Sequence, residues 1–133
     1  MMARLRDNVL KPFIILNRHN SLYDNWQFPI SEEGRQAFAR YGVELLDHYT
    51  SQMEWVEVYN EFNLTSEPPT YGQQSYYFEL LKETYQQIKE KHPGVTVVGP
   101  TTAYADATWM EPLFQLGGLQ YLDAISIHPY PYP

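Results

Sequence analysis

The feature that most constrains this chain is an alternation: short β-branched or apolar runs take turns with longer amphipathic ones, and each switch is marked by Pro, Gly or a capping residue. Such spacing reads as strand, crossover helix, strand, the signature of an α/β fold with a parallel sheet. A short opening helix over about residues 3–10 stops near Pro12, and Phe13-Ile14-Ile15-Leu16 follows as a continuously apolar strand of the kind covered on both faces. After a polar loop, Ser31 is a good N-cap, with Glu32 and Glu33 in the first turn where the helix dipole favours acids. This helix runs to about Tyr49, with Phe38, Tyr41, Leu45 and Tyr49 on one stripe.

The second strand is Trp55 to Asn60. A loop containing Pro68-Pro69 leads to a helix from about Gly72 to Lys91, striped by Phe78, Leu81, Tyr85 and Ile88 and ended by Pro93-Gly94. Val95 to Val98 is the third strand, Thr108 to Leu116 a third crossover helix closed by Gly117-Gly118, and Ala124 to His128 the fourth strand. At 133 residues, 44% of them hydrophobic, the chain has the length and apolar content of one globular domain, residues 1–133.

Composition removes several function classes. Sixteen acidic against nine basic residues give a net charge of −7 without a Lys/Arg cluster, so nucleic acid is not an expected partner. The absence of cysteine excludes disulfides, zinc-thiolate sites and thiol nucleophiles, and no metal or cofactor is expected. The N-terminal residues carry charge but no apolar stretch behind it, and no run approaches the roughly 18 apolar residues of a membrane span. Neither an export signal nor a membrane partner is expected of the chain as given, and its location stays open.

Two closures suit the βα pattern, an open doubly wound sheet or part of an eight-stranded barrel. The first needs a Gly-rich phosphate turn, and neither GxGxxG nor GxxxxGK[ST] occurs. In a barrel the functional groups gather on the loops after the strands. Here those loops hold Arg18-His19-Asn20, Asn60-Glu61-Phe62-Asn63, Thr101-Thr102-Ala103-Tyr104 and His128-Pro129-Tyr130, all polar or aromatic.

Strand alternation sends Val56 and Val58 to the helix side and Glu57, Tyr59 and Glu61 to the other. The fourth strand has matching parity, with Ile125 and Ile127 outward and Ala124, Ser126 and His128 inward. Glu61 and His128 therefore converge on one mouth. A strand-end Glu commonly caps a turn and a strand-end His is commonly structural, so the pair alone does not define a reaction.

The wider pattern resembles a family. The segments VEVYNEFN, IKEKHPGVTVVGP and LDAISIHPY look like consecutive strands four, five and six of the clan A retaining glycoside hydrolases, of the family 39-like and related cellulase-type barrels. The upstream NSLYDNWQFPISEEGRQAFARY resembles the loop and helix after strand three. The resemblance implies an incomplete TIM barrel, about half of one, acting on an oligosaccharide or polysaccharide. It makes Glu61 the general acid/base, Asn60 the partner of the sugar 2-hydroxyl, and His19, Asn20, Tyr23, His128 and Tyr130 candidate sugar contacts. Tyr132 and Trp109 are further aromatics, Trp109 better placed for packing. A glycosidic oxygen leaves poorly, so a carboxylic acid must protonate it and then act as base toward water.

This chain has Phe62 where the family usually has Pro, and Tyr59 where it commonly has Trp. The family's nucleophile stands at the end of strand seven, and this sequence stops after strand six. The resemblance thus implies a central piece of a barrel that does not hydrolyse glycosides by itself and whose raw strand edges, Phe13 to Leu16 among them, invite self-association. The rival expectation is a non-catalytic carbohydrate-binding or scaffold module. A weaker third is an unrelated α/β small-molecule binding domain.

Overall fold

The computed structural model describes residues 11–49, 53–66, 69 and 72–130. The expected opening helix and Tyr132 lie outside them. Four strands, β1 (Phe13–Leu16), β2 (Trp55–Val58), β3 (Thr96–Ala103) and β4 (Ala124–His128), form one parallel sheet in the order β1-β2-β3-β4. They alternate with α1 (Glu32–Tyr49), α2 (Gln74–Lys91) and α3 (Ala107–Gln115), which is the expected βα pattern. Strand order follows chain order, as in successive units of a barrel wall.

Local chemistry explains the boundaries. Ser31 caps α1, its Oγ accepting from Gly34 N at 2.9 Å, while Asp24 accepts from Ser31 N. Asp106 caps α3 by accepting from Trp109 N at 3.0 Å, and Gly117, with φ of 95°, turns the chain out after it, a conformation glycine adopts without strain. Between β3 and β4 the ties are polar: Asp123 accepts from Val97 N at 2.8 Å and meets Lys89 Nζ at 2.6 Å.

The core lies between the sheet and α1 and α2. Leu16, Val56, Val58 and Val97 of the strands meet Phe38, Val43, Leu46, Leu80, Leu81 and Ile88 of the helices, all buried. Close approach of α1 to β1 depends on Gly42, because a Cβ there would stand 2.7 Å from Leu16 Cδ1. Tyr77 is wholly buried, and its hydroxyl donates to Val58 O at 2.8 Å; burial pushes the phenol's pKa up.

Several expectations need correction. The buried stripe of α1 is Phe38, Ala39, Gly42, Val43 and Leu46, whereas Tyr41 is exposed. β3 runs on to Ala103, so Thr101 to Ala103 belong to the strand and not to the loop after it. β1 is an edge strand whose Phe13 and Ile15 are exposed, together with Trp55 beside Phe13. These three lie on the face opposite the helices, so the apolar run of β1 is covered on one face only. Ile125 and Ile127 of β4 point to the helix side, as parity demands, but no described helix covers them and both are exposed.

Candidate active site

The site is built where β2 and β4 end. β2 stops at Val58, two residues short of the expected end, because Tyr59 takes a φ of 65° and Glu61 one of 47°. Left-handed backbone costs a non-glycine residue about 1–2 kcal/mol, so two such residues within three positions need strong local support. Support comes from Phe62, which is 0% exposed and packs its ring against Phe28, Tyr59, Tyr77 and Trp109. Asn63 fastens the same turn to the tip of β3, accepting from Ala103 N at 2.9 Å and donating to Ala103 O at 3.1 Å.

The turn also breaks the alternation. Tyr59, expected on the inner face, packs instead against Phe28 and Phe38 on the helix side, and its hydroxyl meets His19 Nε2 at 2.8 Å. Glu61 nevertheless reaches the inner mouth. His128 Nδ1 lies 2.6 Å from Glu61 Oε1, and the Tyr130 hydroxyl donates to the same oxygen. The ends of β2 and β4, two strands apart, thus bring to one point a carboxylate from the turn after β2, the last residue of β4 and a Tyr just after it.

The electrostatics of that point follow from these contacts. The hydrogen bond from Tyr130 is the largest influence on Glu61 and, with those from His128, holds its carboxyl below the usual carboxylate value against a partial desolvation. Conversely, the Glu61 carboxylate pushes the Tyr130 phenol up. Glu61 therefore stands as an anion in this arrangement.

Glu57, two residues before Tyr59, is a second carboxyl group on the inner face. It is 0% exposed, and neither carboxylate oxygen has a hydrogen-bond partner among the described residues. Burial is the main cause that pushes its carboxyl up; the nearby hydroxyls of Ser126 and Thr101 and the His128 ring oppose the rise. Its Oε1 lies 4.0 Å from His128 Nε2. The signal available in the sequence was parity alone, since Glu57, Ser126 and His128 share the inner face.

The remaining candidates divide. His19, Asn60 and Glu61 line one open cleft of about 560 Å³, together with Arg18, Trp26 and Leu64. Asn20 and Tyr23 line a separate, smaller cavity of about 190 Å³ against Phe38 and Tyr41 of α1, and only the segment Asn17 to His19 borders both. The structure thus brings His19, Asn60, Glu61, His128 and Tyr130 to one end of the sheet but leaves Asn20 and Tyr23 on another wall. Trp109 is core, as expected, its indole Nε1 donating to Gly72 O at 2.5 Å. No cluster of three or more potential metal ligands occurs among the described residues, nor is any described helix long and apolar enough to cross a membrane.

Comparison with known proteins places this geometry. No family model matches the chain, and no curated protein does. Among solved structures, it is similar to a family 39 glycoside hydrolase from Bacteroides cellulosilyticus WH2, at a TM-score of 0.80 and 23% identity, over 99% of this chain and 28% of that one. A family 39 enzyme from Xanthomonas axonopodis pv. citri aligns at 0.63 and 24% identity over 96% and 28% of the two chains. A family 39 β-xylosidase from Caulobacter crescentus aligns at 0.64 and 25% over 97% and 32%. The resemblance read from the sequence holds at the level of the fold, and the chain spans about 28% of the length of the first of these structures.

Proposed function

We propose that the mouth formed by Asn60, Glu61, His128 and Tyr130 is the acid/base half of a retaining glycoside hydrolase site. The observation that carries this reading is the convergence on one carboxylate oxygen of Glu61 of two side chains, His128 at the end of β4 and Tyr130 just after it. In this role Glu61 protonates the glycosidic oxygen as an oxocarbenium-like centre develops and later takes a proton from water. Asn60 lines the same cleft as His19 and supplies an amide for the sugar 2-hydroxyl, while Tyr130 stands against Glu61 at its edge. The substrate is an oligosaccharide or polysaccharide; likeness to a β-xylosidase favours a β-linked pentoside as the first probe.

A retaining reaction needs a second carboxylate about 5–5.5 Å from the first, exposed to the sugar. Glu57, the other inner-face carboxylate of β2, is sealed in the sheet and cannot attack. The chain alone is therefore expected to bind sugar without hydrolysing it. The ionised state of Glu61 favours the second reading, a binding or scaffold module, because a general acid must start protonated.

Incubation with an aryl β-xyloside and a titration with xylo-oligosaccharides test both readings. Saturable binding that weakens in Asn60→Ala, with no aryl release, is expected. Aryl release abolished in Glu61→Gln would overturn the inactivity, and absence of any saturable binding would remove the sugar site.

A further inference from the structure

Glu61 is asked to donate a proton, yet its neighbours keep it ionised, while four residues earlier a carboxyl group is sealed where charge is expensive. The two are joined by one ring. His128 Nδ1 is 2.6 Å from Glu61 Oε1, and its Nε2 is 4.0 Å from Glu57 Oε1. An imidazole has one protonatable nitrogen on each side, so a ring held between two carboxyl groups can accept on one edge and release on the other.

We propose that Glu57, His128 and Glu61 form one proton-carrying unit, in which Glu57 holds a proton inside the sheet while Glu61 stands ionised at the mouth, and the His128 ring is the path between them. This rests on the reading of Glu61 as the general acid. In the step, the Glu57 O–H bond breaks as an N–H bond forms at His128 Nε2. The Nδ1–H bond breaks as an O–H bond forms on Glu61 Oε1. The ring ends neutral in its other tautomer, Glu57 ends as the carboxylate, and Glu61 as the acid, with net charge unchanged. Hydrogen-bond contact at Nε2 requires an approach of about 1 Å from the present separation.

The surroundings of Glu57 suit a neutral acid. The groups that act on it are the Ser126 and Thr101 hydroxyls of β4 and β3, His128 of β4 and Glu61 of its own loop. Tyr77 of α2 faces it from the helix side, and its register neighbour on β1 is Ile15, which does not titrate. At the mouth, Tyr130 and, beside it, Tyr104 complete the set around Glu61. A buried carboxylate without hydrogen bonds is costly, and a protonated one much less so. Glu57 acts through His128 and is a positioning residue for the proton of Glu61.

Carboxyl-carbon NMR of the chain labelled at glutamate, with Glu57→Gln and Glu61→Gln used for assignment, tests this across pH. The expected spectrum near neutral pH has Glu57 in its acid form and Glu61 ionised together. The Glu57 midpoint should fall in Glu61→Gln, which removes a neighbouring negative charge, and rise in His128→Gln. Titration of Glu57 in the ordinary carboxylate range in the unmodified chain would overturn the proposal, whether or not the variants fold. So would a Glu57 curve unchanged in both folded variants. Turnover is not read here, so a failed unit leaves the assignment of Glu61 standing, and a failed sugar assay leaves these curves untouched.

Discussion

Phe62 is the residue on which the mouth rests, and replacing it with Ala should cost more than any other single truncation in the loop. The side chain is 0% exposed, with ring centroids 4.4 Å from Phe28, 5.5 Å from Tyr77, 5.7 Å from Tyr59 and 6.2 Å from Trp109. Loss of a buried Phe side chain costs about 3–5 kcal/mol through lost transfer energy and the cavity left behind. Its aromatic neighbours belong to four different segments and cannot collapse together into the gap, so the upper part of that range is expected, about 4 kcal/mol. That is a large share of the roughly 5–15 kcal/mol that holds a domain. Phe62→Leu, which keeps most of the volume, should cost about 1–1.5 kcal/mol. Urea unfolding followed by circular dichroism measures both. A Phe62→Ala variant within about 1 kcal/mol of the parent would refute the idea that this cluster supports the left-handed backbone at Tyr59 and Glu61.

Two further outcomes follow from the same geometry. Glu61 has a folded-state value below its usual 4.5, so its contribution is present above that pH and is lost as pH falls through the lowered value; Glu57 has a raised value, so it penalises the fold increasingly as pH rises above 4.5. Stability of Glu57→Gln relative to the parent should therefore improve as pH rises above 4.5, while that of Glu61→Gln falls as pH rises from the lowered Glu61 value to 4.5 and stays lower by a constant amount above it; parallel pH profiles for all three proteins would contradict the assignment. The exposed Phe13, Ile15 and Trp55 on the open face, with β1 and β4 as edges, predict oligomers at micromolar concentration that Ile15→Lys reduces, whereas a monomer by sedimentation in the unmodified chain would count against it.

Much of the architecture was legible because the strand and helix signals were local. Ser31, Pro93-Gly94 and Gly117 mark ends that the backbone obeys, and Ala124–His128 is a strand at the bounds expected of it. What the sequence could not display was two-sided burial. Phe13-Ile14-Ile15-Leu16 reads the same whether one face is covered or both, since exposure depends on what else packs there. β3 outran its β-branched core because Gly99-Pro100 looks like a stop, yet the chain continues through a register shift between Val98 and Thr101. Parity placed Glu57 and His128 correctly but failed at Tyr59, where one residue at positive φ sends its side chain to the other layer. Glu61 reached the mouth by that turn and not by simple alternation. Asn20 and Tyr23 line the cavity against α1 and not the cleft of Glu61, and the same loop holds positive φ values from Asp24 to Trp26 that alternation does not display.

The most direct test of the central claim is an amide NMR titration of the chain with an aryl β-xyloside. Saturable shifts confined to Asn60, Glu61, His128, Tyr130 and the neighbouring His19 are the predicted result. Saturable shifts centred on the Tyr23 and Tyr41 cavity, or none at the end of β2 and β4, would contradict it.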